Sequence, residues 1–354
     1  MYNTIMWDYI KQESDLLMKQ LHMDQCMQVS NNLKEINAIY IVAHGSSYNA
    51  GYTVAYYFQN ISGVRVYVYT PEEFIHNKSI LDLENQSTTL IVGISQTGSS
   101  SGVIQALKIS KEMYFKVLVV TSVKDSPIGK LGDFLLLLRC GLENSNAKTK
   151  GYSLTLLVLL QFAYSLGVLR GKIDKTKFHI FFEEVEKEIC NLYVLENKAL
   201  EWCNKNKFGE NLESLYAIGN GVHYGTAMEC MLKLMETMCI PTMFSNILEF
   251  SHGMHRSVKK GAYIVLIKGK DYQEEVSQTF QYFRRKNIKT LMLDIGGQNQ
   301  EENIFPIPYY SLTHSLFSVV MIIQILSAYA PEKVGLDPNR NSNNDFTEFM
   351  KTRI

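Results

Sequence analysis

The chain has 354 residues, which at a prior of about 150 residues per domain makes roughly 2.4 domains, so one core does not readily take all of it. With 35 Lys and Arg against 35 Asp and Glu the formal net charge is zero, and this excludes a chain-wide positive field for nucleic acid or an anionic membrane. At 46% hydrophobic and 20% charged residues the composition also excludes disorder. Seven prolines favour long regular elements, and six cysteines (Cys26, Cys140, Cys190, Cys203, Cys230, Cys239), far apart and without a CxxC pair, read as reduced thiols in a cytoplasm.

The opening residues 1–17 carry Asp8, Glu13 and Asp15 among their apolar positions and lack the uncharged apolar core of a signal peptide, so the chain is expected to stay inside the cell. Five apolar runs follow at 38–43 (AIYIVA), 65–69 (RVYVY), 89–94 (TLIVGI), 116–121 (KVLVVT) and 134–138 (FLLLL), each trailed by turn residues and helical periodicity. Such alternation predicts an α/β fold, a doubly wound parallel sheet with helices on both faces. Two longer apolar stretches, 152–169 and 311–330, have the ~20 residues that crossing a bilayer takes. Both carry Ser and Gln, and the second has His314, so both read as buried helices rather than membrane spans.

The strand pattern then returns. YIVAHG at 40–45 lines up with YAIGNG at 216–221, LIVGI at 90–94 with YIVLI at 263–267, and KVLVV at 116–120 with KTLML at 289–293. A near-constant spacing over three strands predicts a duplicated domain. Between the copies, 172–210 is rich in Lys and Glu, with Phe178, Phe181, Phe182, Val185 and Ile189 at helical spacing, and reads as an amphipathic connecting helix or two. The expected organisation is an N-terminal helical segment (1–35), a first domain (36–170), a helical connector (171–210), a second domain (211–335) and a C-terminal tail (336–354).

In an open parallel sheet, ligands sit at the carboxyl ends of the strands near the topological switch point. Two loops of the first half fall there: Gly45-Ser46-Ser47 after AIYIVA, and the hydroxyl-rich stretch 95–101 after TLIVGI. Glycine admits close backbone approach, small hydroxyls donate hydrogen bonds, and the first turn of the next helix favours an anion. Either loop alone reads better as an N-cap plus turn; two on one sheet reverse that and point to a phosphate. Neither matches GxxxxGK(S/T) or GxGxxG, which favours a monophosphate ester over a nucleotide. A third segment, 143–151, follows FLLLL and reads either as a wall of the same pocket or as a solvated loop.

In the second half Glu229, Lys233 and Glu236 fall at i, i+4 and i+7, on one face of a Met- and Leu-rich helix, and Glu249 and His252 come shortly after. A carboxylate that takes and returns a carbon-bound proton, with an imidazole that protonates a ring oxygen, can open a sugar and shuttle its carbonyl between C1 and C2. The same residues also fit an exposed i, i+4 ion pair and a satisfied loop histidine.

Taken together, GSSYNAG, SQTGSS, AKTKGY, the Glu-x3-Lys-x2-Glu helix and a His-Gly beyond it resemble the double sugar-isomerase-domain (SIS) proteins. The likeness is in particular to the isomerase half of glucosamine-6-phosphate synthase and its relatives, the phosphosugar isomerases, amino-sugar-phosphate deaminases and fructosamine-6-phosphate deglycases. It runs from the MWDYIKQE helix to the DPNRN segment and implies two flavodoxin-like SIS domains. It further implies that Ser46, Ser47, Ser95, Gln96, Thr97 and Ser100 cradle a sugar phosphate, and that Asn146 and Lys148 touch the sugar chain. Glu236 would be the general base and Lys233 a neighbouring polar group. Glu229 and Glu249 would line the pocket. His252 would open the ring from the partner subunit of a homodimer. No metal or organic cofactor is implied.

Departures from the family pattern shape the expected reaction. No glutamine-hydrolysing domain precedes residue 1, and Met1-Tyr2 offers no cysteine nucleophile, so a synthase reaction is not expected. The lysine that follows the family's DxPRN segment is replaced by Asn344 when counted from Asn341, with Lys351 and Arg353 nearby; Met254 and Met235 also depart from the pattern. The expectation is a cytoplasmic homodimeric enzyme acting on a 6-phosphorylated ketose, amino sugar or sugar–amine conjugate, as isomerase, deaminase or deglycase. The alternative class is a sugar-phosphate sensor without turnover, against which stand the retained Glu236 and His252 and the short stretch before the first strand.

Overall fold

The computed structural model describes residues 4–299 and 301–352. The elements in chain order begin with α1 (Ile5–Leu21), α2 (Gln25–Leu33), β1 (Ala38–Ala43), α3 (Gly45–Tyr57), β2 (Arg65–Tyr69), α4 (Pro71–His76), β3 (Thr89–Ile94) and α5 (Ser101–Glu112). There follow β4 (Lys116–Thr121), β5 (Phe134–Leu137), α6 (Lys150–Leu169), α7 (Lys175–Asn206), β6 (Ser214–Ile218), α8 (His223–Met238) and β7 (Thr242–Ser245). The chain continues through α9 (Ile247–His252), β8 (Ala262–Lys268), α10 (Gln273–Arg285), β9 (Lys289–Ile295), β10 (Ile304–Ile307), α11 (Leu316–Lys333) and α12 (Phe346–Phe349). All five first-half apolar runs are strands, the last one residue shorter than expected, and the connector is a single helix, α7.

Two five-stranded parallel sheets form, ordered β2-β1-β3-β4-β5 and β7-β6-β8-β9-β10. Renumbered within each copy, both read 2-1-3-4-5, the flavodoxin-like winding, and the strands matched by the internal repeat occupy equivalent places. The chain forms two compact units, each discontinuous in sequence. One holds the first sheet and comprises 15–143, 150–182 and 341–352; the other holds the second sheet and comprises 4–14, 144–149 and 183–340.

In the first-sheet unit Tyr40, Val42, Ile91, Val117 and Val119 pack beneath Phe74 of α4 and Val103, Ile104 and Leu107 of α5. The alternate residues, such as Ile39, Leu90 and Val92, are equally buried, and α3 lies against Ile41 and Val68, so both faces of the sheet are covered. The second sheet repeats the arrangement. Tyr216, Ile218, Ile264 and Leu266 pack with Ile247 and Phe250 of α9 and Val276 and Phe280 of α10. On the other side α8 packs on β6, β7 and α11.

The two apolar stretches are core helices: α6 and α11 pass a length-and-hydropathy test for membrane spans, yet 89% of each tested window is buried inside the protein. Each carries a buried glutamine that donates to the N-terminal helix within its own unit, Gln161 to the Leu21 carbonyl and Gln324 to the Glu13 carboxylate, both at 2.8 Å. α11 starts at Leu316, later than its apolar run, because His314 and Ser315 adopt left-handed backbone (φ 55° and 58°). Buried Glu188 of α7 caps this start by accepting from the Ser318 N–H at 2.8 Å and from the Thr313 hydroxyl. Burial pushes the Glu188 carboxyl up to about 7, against the opposing pull of those two donors.

Candidate active site

β1 and β3 are hydrogen-bonded neighbours, with Ala43 opposite Ile94, so the loops that leave their carboxyl ends lie side by side at the switch point of the first sheet. Ser46 and Ser47 occupy the first turn of α3, where backbone N–H groups lack intrahelical partners. Ser100 is the N-cap of α5. Between them 95–99 forms a tight loop in which the Gly98 N–H donates to the Ser95 carbonyl at 3.0 Å and the Thr97 and Ser99 hydroxyls lie 3.0 Å apart. Gly98 has φ 71°, and a Cβ there would come within 2.0 Å of Ser126 Oγ, so no other residue fits the turn. In the same unit the Ser101 N–H at the start of α5 donates to the carbonyl of Thr352, which brings the C-terminal segment to this loop.

Gln96 is fixed from both ends. Its carbonyl accepts from the Ser122 N–H, the Ser122 hydroxyl and the Thr121 hydroxyl, and its Nε2 donates to Glu143 Oε1 at 2.8 Å. Buried Glu143 also accepts the Gly151 N–H at 2.6 Å, tying the loop to the first turn of α6. The amide of Gln96 is thus held by an internal carboxylate, a link that sequence spacing did not reveal.

In the second-sheet unit α8 carries Glu229, Lys233 and Glu236. The Lys233 ammonium lies 2.5 Å from Glu229 Oε1, and both side chains are buried rather than solvated. Glu236, less than a turn further, is partly buried with its Oε2 out of contact with solvent. Three donors close the carboxyl end of this helix: Arg340 Nη1 bonds the Thr237 carbonyl at 2.8 Å, Arg340 Nη2 the Met238 carbonyl at 2.9 Å, and the Cys239 N–H the Met235 carbonyl. Arg340 belongs to the DPNRN segment, which also receives Asn146: the Asn146 N–H donates to Asn339 Oδ1 at 3.0 Å and its Nδ2 to the Arg340 carbonyl at 3.4 Å. Asn146 is therefore coupled to the end of α8 that bears Glu236. Lys148, in the same segment, donates to the Ser145 carbonyl at 3.4 Å.

Glu249 and His252 lie on the short helix α9, whose N-cap Asn246 accepts the Glu249 N–H at 2.8 Å. Both side chains are exposed, and among the described residues His252 makes no side-chain hydrogen bond and does not join the Glu229–Lys233 pair. Asn344 folds into a local turn, accepting from the Ser342 N–H and donating to Asn341; Lys351 is exposed; Arg353 lies outside the described residues. Residue-type reading passed over His44, whose ring reaches both Ser100 and Glu72, and Arg340, which was visible only as part of a motif. Among the described residues no group of three or more His, Cys, Asp or Glu is arranged to hold a metal ion.

Comparison with known proteins bears on these two regions. A family model described as the SIS domain matches 32–165 and 211–300, one segment on each sheet. Over 264 residues, 73% of this chain and 42% of the relative, the sequence is 30% identical to a glutamine–fructose-6-phosphate aminotransferase (isomerizing) of Xylella fastidiosa. The chain spans about half the length of the curated relatives it matches. Among solved structures, a candidate phosphosugar isomerase from Clostridium difficile 630 superposes with a TM-score of 0.89 at 24% identity, covering 98% of both chains. The glucosamine-6-phosphate deaminase of Thermotoga maritima gives 0.76 at 20% identity, covering 96% of this chain and 97% of that one. At these identities the structural likeness is one of fold.

Proposed function

The chain belongs to the SIS domain family, and from that membership we propose that it is a phosphosugar-processing enzyme acting on a 6-phosphorylated ketose, amino sugar or sugar–amine conjugate. The observation that carries the reading is the pair of hydroxyl-rich loops on neighbouring strands at the switch point, each opening a helix, which is the local chemistry of a phosphate ester site on a chain without net positive charge. In this reading Ser46, Ser47, Ser95, Thr97 and Ser100, with the backbone of Gln96, take the phosphate. Glu236 takes the carbon-bound proton from C2 of the open-chain aldose and returns it to C1, while the C2 hydroxyl gives up its proton and O1 gains one, which converts aldose to ketose, and the reverse, without a redox partner. When the substrate carries an amine on C1 or C2, the same proton transfer sets up its release by water.

The enclosed Glu229–Lys233 pair supports catalysis over simple binding. Such a pair costs several kcal/mol of desolvation and adds little to stability, so it persists most readily where a site uses it. Exposed His252 fits a ring-opening acid that works on a partner's substrate, and a cytoplasmic homodimer is part of the proposal. Turnover of fructosamine 6-phosphates, glucosamine 6-phosphate and fructose 6-phosphate by the purified protein tests it. Activity that disappears in Glu236→Gln supports the base assignment. Full activity in that variant removes it, and binding of all three sugars without turnover would favour a sensor.

A further inference from the structure

His44 stands at the N-cap of α3 but makes no cap with its side chain. Its ring instead reaches across the carboxyl edge of the first sheet. Nδ1 lies 3.3 Å from Ser100 Oγ at the start of α5, and Nε2 lies 2.9 and 3.0 Å from the two carboxylate oxygens of Glu72 in the first turn of α4. The starts of α4 and α5 are shaped around this ring: a Cβ on Gly102 would meet His44 Cε1 and Pro71 Cβ, each at 3.0 Å. Resting on the assignment of Ser100 to a phosphate cradle, we propose that Glu72 and His44 form a positioning relay that turns the Ser100 hydroxyl into a hydrogen-bond donor for the substrate phosphate.

The relay follows from donor and acceptor counting. Glu72 is held ionised: partial burial raises its carboxyl, but the N–H of its own backbone and the His44 ring outweigh that and leave it below the ordinary value. An ionised carboxylate only accepts, so His44 Nε2 carries a proton. Two states remain for Nδ1. In the neutral ring it is a lone pair that takes the Ser100 O–H, and the serine then has nothing to donate to an anion. In the imidazolium it donates to Ser100 Oγ, and the hydroxyl proton is free to point at a phosphate oxygen. Arrival of a phosphate dianion favours the second state, so binding draws a proton onto His44. Among the described residues the ionisable side chain touching the ring is Glu72; Glu73 on the same helix turns back to Thr70, and α5 presents only the Ser100 hydroxyl. Glu72 is 70% exposed, unlike the enclosed acid behind a nucleophilic serine, which favours an electrostatic role for the trio.

Calorimetric titration of the full chain with glucosamine 6-phosphate and fructose 6-phosphate, in buffers of different ionisation enthalpy, reads affinity and proton uptake together. For whichever ligand binds, the expected result is uptake of up to one proton by the unaltered chain, lost in His44→Asn and reduced in Glu72→Gln. Affinity should weaken about tenfold in both His44→Asn and Ser100→Ala, and the double variant should be no weaker than Ser100→Ala alone, because His44 acts only through that hydroxyl. Additive losses, or uptake that survives in His44→Asn, overturn the relay. If Ser46→Ala weakens binding while His44→Asn does not, the relay falls and the cradle stands. If the unaltered chain binds neither sugar phosphate, the cradle falls and the relay with it.

Discussion

Lys233 Nζ sits 2.5 Å from Glu229 Oε1 on adjacent turns of α8, with both side chains closed off from water. Removing one partner leaves an uncompensated buried charge, so Lys233→Met should lower stability by about 3–5 kcal/mol, measured by urea unfolding. The combined change Glu229→Leu with Lys233→Met should recover most of that loss without recovering turnover. Recovery of both would show the pair to be structural.

Complementation tests whether His252 serves a neighbouring subunit. Glu236→Gln and His252→Asn should each be inactive, with turnover falling by about 10²-fold or more. Mixed and allowed to exchange subunits, they should regain about a quarter of the parent activity, since half of the dimers are hybrids with one intact site each. No recovery, with hybrids shown to form, places both groups in one subunit's site.

Glu188 gives stability a pH dependence of defined sign. Its carboxyl is raised from 4.5 to about 7 by burial, so the folded chain holds a proton that the unfolded chain has released across that window. The contribution is fully present below the ordinary carboxylate range and is lost as pH rises toward neutrality, at about 1.4 kcal/mol per pH unit. Burial of His223, and next the charge of His314, depress the His223 imidazole from 6.5 to about 3, and this acts oppositely: its share is present at neutral pH and lost on acidification through that range. The difference between the parent and Glu188→Gln cancels the histidine. With the two slopes opposed, the parent's urea midpoints at about pH 5 and pH 7 should lie close together, and in the variant they should separate, the pH 5 midpoint falling below the pH 7 one. Parallel shifts in both proteins would assign the slope elsewhere.

Arg340 holds the last carbonyls of α8 while its own carbonyl receives Asn146. Arg340→Met should cost about 2 kcal/mol and raise amide exchange in both 144–149 and the last turn of α8, with the rest of the sheet unaffected. Loosening of α8 alone would show that Asn146 is held by other groups.

The fold was legible because its signal is local. A strand buried on both faces, such as TLIVGI, is a continuous apolar run, and the two copies repeat that run in the same order. The hydroxyl loops were legible as motifs for the same reason. What escaped were ties made between strand ends: His44, Glu72 and Ser100 are remote in sequence and meet only because β1, β2 and β3 are neighbours in the sheet. The start of α11 was missed because Thr313, His314 and Ser315 spend their polar groups and backbone on a cap supplied by α7, and hydropathy alone continues the helix through them.

The discontinuity of the two units limits how the gene can be divided. Residues 4–14 and 144–149 belong with the second sheet, and Gln324 depends on both, donating to Glu13 and to the Thr149 carbonyl. A fragment beginning at residue 183 would carry the whole second sheet yet leave that buried amide with neither acceptor. Because its segments start at residue 4 and end at residue 340, no shorter continuous stretch of the gene carries all of the second unit.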